Sequence, residues 1–134
     1  MPLDTNRPSG AFTDLIGYRV ISYDKGTVAL ELKVEAKHLN RLGVPHGGNL
    51  AALIDTAAGI AIALAEGPDK ILPAVTLSLS MQFLGQAKVG DVLIATGRHV
   101  GGGRTIAYGT AEIKTAAGTP IARGDGTFRY VTPK

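Results

Sequence analysis

Between positions 40 and 55 the chain reads Asn-Arg-Leu-Gly-Val-Pro-His-Gly-Gly-Asn-Leu-Ala-Ala-Leu-Ile-Asp, and this stretch holds the residues best able to do chemistry. Asp55 is the only ionisable residue between His46 and Glu66, and its helical neighbours are Ala51, Ala52, Ala58 and Gly59. A carboxylate in such apolar company is costly unless it is hydrogen-bonded, paired or functional, and awkward carboxylates gather at active sites. An Asp on a solvent face is the alternative, but Ala, Gly and Ile make a poor solvent face. Gly47 and Gly48 stand where a loop becomes a helix, so their N–H groups belong to its unpaired first turn. Such donors, with the positive end of the helix dipole, attract an anion or a polarised carbonyl oxygen, and glycine lets a ligand reach the backbone. A plain loop ahead of a helix would use the same two glycines.

Gly47 and Asp55 are eight residues apart, so about 12 Å separates them along a helix rising ~1.5 Å per residue. An oxyanion donor and a base must both lie near one reacting carbon, each within about 3 Å of its target. One chain cannot bring these two together. A second copy packed antiparallel along the small-residue stripe would set its Asp55 beside this Gly47, giving a site shared across a homodimer in two symmetric copies.

Other residues are less telling alone. His46 before a helix fits a structural hydrogen bonder as well as a catalyst, and Asn40 fits an ordinary turn. Thr76 falls on the more polar side of its strand. His38, His46 and His99 show no helix-based metal pair, so no metal is expected. Gly101-Gly102-Gly103-Arg104 lacks the spacing and the Lys-Ser/Thr ending of a phosphate loop and reads as a tight hairpin. Arg104, with Lys88, Arg98, Arg123 or Arg129, is a candidate for a phosphate group or for solvated surface.

The elements that must position these residues follow from period and punctuation. Thr27 to Glu35 alternates, with Val28, Leu30, Leu32 and Val34 on one face and Glu31, Lys33 and Glu35 on the other, which predicts a half-buried strand. Tyr18 to Asp24 precedes it, and Asp24-Lys25-Gly26 suggests a hairpin turn. Ala11 to Gly17 reads as a short helix with Ser9 as cap. Gly47 to Glu66 has a helical pattern stopped by Gly67-Pro68. Four strand-like runs follow: Val75, Leu77, Leu79, Met81 and Phe83 alternating with Thr76, Ser78, Ser80 and Gln82; then Asp91 to Val100, Arg104 to Thr115, and Pro120 to Val131. Short connections between the last strands predict an antiparallel meander. Small residues at alternating places (Ala95 and Gly97; Ala107, Gly109 and Ala111; Ala122, Gly124 and Gly126) fit an Ala-rich helix lying tight on a curved sheet. The expected class is α+β, one sheet wrapping one helix, with a loose tail over 1–9 and one domain over 10–134.

At 134 residues, with 45% apolar residues and 19% charged, the chain is long enough to bury a core and is not a disordered or low-complexity sequence. It has no Cys, so disulfides, thiolate metal ligands and a cysteine nucleophile are excluded, and a reducing cytosol suits it. The net charge of +3 comes without a clustered basic and aromatic stripe, which argues against nucleic acid. The start, Met1 to Gly10, lacks the order of a signal peptide. The longest apolar stretch, Leu50 to Ala65, has 16 residues and contains Asp55, short of the roughly 20 a membrane span needs.

The order Asn40-x5-His46-Gly47-Gly48-x6-Asp55, on a loop leading into the central helix, resembles the hotdog-fold acyl-CoA thioesterases of the PaaI type. So do Ala74-Val75-Thr76 opening a strand that ends in Phe83-Leu84, the run Ala87-Lys88-Val89-Gly90-Asp91, Gly103-Arg104, and the terminal Ile121 to Thr127. The likeness covers roughly residues 15–131. It implies a hotdog fold, dimers with a continuous sheet, often tetramers, an acyl-CoA substrate and no cofactor beyond the coenzyme A of that substrate. By position, Asn40 and the Gly47 N–H would hold the thioester carbonyl, and His46 would orient loop or substrate. Asp55 of the second chain would activate water or attack directly, and Thr76 would help place the water. Gly48, Gly103, Arg104 and Lys88 become candidate substrate contacts. A hotdog hydratase or dehydratase, and a non-catalytic acyl-CoA-binding protein, are the competing readings. The His-Gly-Gly-x6-Asp order argues for hydrolysis, and thiol release separates an enzyme from a binder.

Overall fold

In the computed structural model, which describes residues 10–133, six antiparallel strands form one sheet and one long helix lies across it. The elements are α1 (Ala11–Ile16), β1 (Arg19–Asp24), β2 (Thr27–Lys33), α2 (Gly47–Ala63), β3 (Ala74–Phe83), β4 (Val92–Gly102), β5 (Ile106–Thr115) and β6 (Pro120–Tyr130). The sheet order is β1-β2-β4-β5-β6-β3, so β3 is an edge strand beside β6. The expected tail over 1–9, including Ser9, lies outside the described residues. Gly10 takes the N-cap position of α1 and offers no side-chain bond.

The sheet wraps α2, which touches β2, β3, β4, β5 and β6. Leu53, Ile54, Ala57, Ala58, Ala61 and Ile62 of the helix are buried against Val28, Leu30 and Leu32 of β2 and the inner residues of the later strands. Small residues on both sides allow the close approach. A Cβ at Gly97 would overlap the Ala57 carbonyl, and one at Gly109 would lie 3.3 Å from the Ala58 carbonyl oxygen. At Gly124 it would lie 3.0 Å from the Ile54 side chain. Gly126 differs from expectation: its neighbour is the Phe128 ring, not the helix.

Several boundaries move. The helix ends at Ala63, with Leu64 as C-cap, because the chain turns into Gly67 at φ +98°. Gly101 and Gly102 continue β4 instead of ending it, with a register shift between His99 and Gly101. The turn is therefore Gly103 to Thr105, closed by the Gly103 N–H donating to the Ile106 carbonyl at 2.7 Å.

The largest correction concerns β3. Unbroken alternation would put Thr76 on the face opposite Leu79, Met81 and Phe83. The register shifts between Thr76 and Ser78: Thr76 lies opposite Phe128, while Leu79 and Met81 lie opposite Gly126 and Gly124. Phe128 is buried in the core and Gly124 lies under α2. The extra residue, Leu77, thus turns Thr76 to the helix side. Val75 and Leu77 are left exposed.

Candidate functional site

The loop before α2 is built by its own side chains. Asn40 Oδ1 accepts from the N–H groups of Leu42 at 2.9 Å and Val44 at 3.3 Å. The Asn40 N–H donates to the Val44 carbonyl, and Gly43 makes the bend at φ +79°. The His46 N–H donates to the carbonyl of His38 at 2.7 Å. His38, 2% exposed, accepts from the Glu35 N–H at Nδ1, and its Nε2 bonds the Ile16 carbonyl at 2.7 Å. The loop is thereby tied to the end of α1.

His46 is the N-cap of α2, its Nδ1 accepting from the Gly48 N–H at 2.8 Å. A Cβ on Gly48 would sit 2.9 Å from that nitrogen, so the cap needs glycine there. The Asn49 and Leu50 N–H groups reach the His46 carbonyl. Of the four first-turn donors, only the Gly47 N–H has no acceptor among the described residues. The two glycines therefore differ: the Gly48 amide is spent on the cap, and the Gly47 amide stands ready beside Phe83, whose ring would lie 3.5 Å from an added Cβ. A groove of about 410 Å³ opens here between Val44, Pro45, Gly47, Leu50, Phe83 and Leu84.

Asp55 lies two turns further along α2. Its Oδ1 accepts a 2.6 Å hydrogen bond from the Thr76 hydroxyl of the same chain, and its Oδ2 has no hydrogen bond among the described residues. Both residues border a second groove, about 380 Å³, walled by Gly59, Ile60, Ala63, Ile71 and Phe128 among others. In the sequence Phe83 stood out only as the end of a strand shared with the family, not as a site residue, and Ile60, Ala63, Ile71 and Phe128 of this wall did not stand out. The one available signal for the wall was a glycine, Gly59, in mid-helix.

The candidate phosphate contacts are not brought together within the chain. Lys88 precedes β4 and Arg104 follows it. Its eleven residues separate them by roughly 35 Å at ~3.3 Å each. Arg98, Arg123 and Arg129 alternate with residues that face α2 or the core, so they lie on the outer sheet face; Arg123 donates to Gln82 Oε1 at 2.6 Å. No helix among the described residues is long and apolar enough to cross a membrane.

A sheet wrapped on one helix, with an uncommitted glycine amide at the capped helix start and a hydroxyl-bonded carboxylate in its middle, defines a hotdog-fold protein with the parts of an acyl-transfer site. The Thioesterase superfamily profile matches residues 42–122, and the chain belongs to that superfamily. Human acyl-coenzyme A thioesterase 13 is 30% identical over 109 residues, covering 81% of this chain and 76% of its own. The Escherichia coli PaaI protein from the phenylacetic acid degradation operon superposes with a TM-score of 0.85 at 27% identity, covering 94% of this chain and 88% of that one. A hypothetical thioesterase of Streptococcus pneumoniae, solved with coenzyme A, gives a TM-score of 0.79 at 28% identity, covering 87% of this chain and 88% of that one.

Proposed function

We propose that the chain is an acyl-CoA thioesterase of the cytoplasm whose active site is completed by a second copy of itself. The observation that carries this reading is the position of the two half-sites at opposite ends of one edge strand. Asp55 is held at the Thr76 end of β3, and the Gly47 amide lies at the Phe83 end. An exposed apolar edge such as Val75, Leu77 and Phe83 favours pairing with another strand. Antiparallel pairing of β3 with its own copy about its middle, near Ser78 and Leu79, sets Thr76 of one chain within two residues of Phe83 of the other. Asp55 of one chain then faces the Gly47 amide of its mate. The same symmetry puts the Arg104 turn of one copy and the Lys88 loop of the other on one rim of the continuous sheet, the rim where coenzyme A phosphates would lie. Coenzyme A in the S. pneumoniae relative supports an acyl-CoA substrate.

In this site the thioester carbonyl oxygen accepts from the Gly47 N–H, with Asn40 Nδ2 as a second donor. Asp55 Oδ2 takes a proton from water as the water oxygen bonds to the carbonyl carbon. The Thr76 oxygen, donating to Oδ1, has lone pairs to hold that water. Collapse of the tetrahedral intermediate breaks the C–S bond, and the proton on Asp55 passes to the departing thiolate. A preorganised donor is worth about 3–4 kcal/mol to such an intermediate, and a general base about 10²–10⁴-fold in rate. On the outer sheet face Arg98 and Arg123 stand beside Glu112 and Asp125, a self-matching charge pattern that supports pairing of dimers into a tetramer.

Free-thiol release across an acyl-CoA panel tests the reading. The wild-type chain is expected to release coenzyme A, and Asp55→Asn to abolish turnover while folding and acyl-CoA binding persist. Wild-type rates in the Asn variant, or binding without thiol release by the wild type, would refute it.

A further inference from the structure

Gly59 is a glycine that the fold does not require. Glycine is the poorest ordinary residue for a helix interior, and this one sits in the middle of α2. The sheet glycines facing the helix are enforced by contact, since a Cβ at Gly97, Gly109 or Gly124 would press on carbonyl groups or a buried side chain. At Gly59 an added Cβ would meet only the edge of the Phe128 ring, at 3.4 Å, an ordinary contact. No strained backbone dihedral demands glycine there either. What its missing side chain leaves open is the groove beside Asp55.

That groove begins at Asp55 and Thr76 and runs along α2 past Gly59 to Ala63, between Ile60, Ile71 and Phe128. Gly59 is one helical turn beyond Asp55 on the same face. Ala63 lies eight residues beyond Asp55 along the floor, about 12 Å at ~1.5 Å per residue. Beyond Asp55, Thr56 and Thr76 its named walls are apolar and carry no charged group to receive a polar acyl terminus.

We infer that Gly59 sets the depth of the acyl subsite, and that the preferred substrates carry an uncharged, apolar acyl chain longer than acetyl. This inference rests on the thioesterase reading above. An acyl group whose thioester lies at Asp55 passes over Gly59 on entering the groove, and each methylene it carries leaves water for an apolar wall. Any side chain at position 59 occupies that path.

The test compares kcat/KM for acetyl-, hexanoyl- and decanoyl-CoA in the wild type, Gly59→Ala and Gly59→Leu. The wild type is expected to favour hexanoyl- over acetyl-CoA by about tenfold or more, as burial of four extra methylenes allows. The hexanoyl-to-acetyl ratio should fall at least about tenfold in Gly59→Leu and by less in Gly59→Ala, graded with side-chain size. Melting temperature is the second readout. Gly59→Ala should match or exceed the wild type, because alanine is the better helix former, which separates a lost subsite from a damaged fold. Equal losses on all three thioesters, or an unchanged ratio in both variants, would overturn the role of Gly59. A wild type that hydrolyses none of the three overturns the thioesterase reading instead.

Discussion

The Thr76 hydroxyl reaches across from the edge strand to Asp55 Oδ1 on the central helix, a 2.6 Å bond between residues 21 positions apart. It leaves one carboxylate oxygen for chemistry and fixes the orientation of the other. Thr76→Val keeps the β-branched shape that a strand favours but removes the donor. Its expected effect is a fall in kcat of about 10–100-fold with KM little changed, since the bond orients a base rather than binding substrate. Thr76→Ser should retain most of the rate. Steady-state kinetics on one acyl-CoA decide it; equal rates in the Val variant and the wild type would remove Thr76 from the site.

Gly47 occupies the first position of α2, where proline is well tolerated because no helical bond uses its N–H. The preceding His46, at φ −61° and ψ 137°, already has the conformation a following proline favours. Gly47→Pro therefore deletes one donor with the helix kept, and kcat should drop about 10²–10³-fold. Gly47→Ala retains the N–H and should be much milder. Mixing Gly47→Pro chains with Asp55→Asn chains carries the argument further. Each mixed dimer regains one intact site, so random exchange of equal amounts should restore about a quarter of wild-type activity. No recovery after verified subunit exchange would count against a shared site.

How much of this could be read from the residues alone depends on whether local pattern or long-range register decides it. Val28, Leu30, Leu32 and Val34 alternate and are buried, so β2 and its inner face were legible. The capped start of α2 and the isolation of Asp55 were legible for the same reason, because spacing along one helix carries the information. Thr76 was not. Its strand alternates without a glycine or proline to mark the irregularity, and only pairing with β6 shifts the register at Leu77. Nor could the pattern tell the two glycine amides apart, since the side-chain rotamer of His46 decides that Gly48 is consumed. A strand over Asp91 to Val100 already set Lys88 and Arg104 at its opposite ends; what the pattern hid was its continuation through Gly101 and Gly102, residues that usually end one.

The fit of α2 on the sheet makes a stability prediction with no catalytic content. Gly97→Ala would drive a methyl into the Ala57 carbonyl, backbone against backbone, with no side chain able to yield. Overpacking of this kind is expected to cost at least about 3 kcal/mol, or to prevent folding. Gly103→Ala is the control. A Cβ there has nothing within 4 Å, and its stability should stay within about 0.5 kcal/mol of the wild type. Urea unfolding of the two variants measures the contrast, and similar midpoints would mean that helix and sheet separate easily.

Tyr130 ties the end of α2 to β6, its hydroxyl donating to the Ile62 carbonyl at 3.2 Å. Burial, and then the negative charge of Glu66, raise its phenol above the ordinary value of 10.0. The folded chain therefore keeps the proton at pH values where the unfolded chain has released it. Stability from this group is intact below about pH 10 and declines as pH rises from there through the folded value, because the unfolded state binds fewer protons in that interval. Tyr130→Phe should flatten the alkaline limb of the stability curve. At neutral pH the same variant should cost only about 0.5–1 kcal/mol, because the Ile62 carbonyl also accepts from the Ala65 N–H at 3.1 Å and is not orphaned. Urea midpoints at pH 7 and at about pH 10.5 test both statements. A parallel decline in the two proteins would show that other groups govern alkaline unfolding.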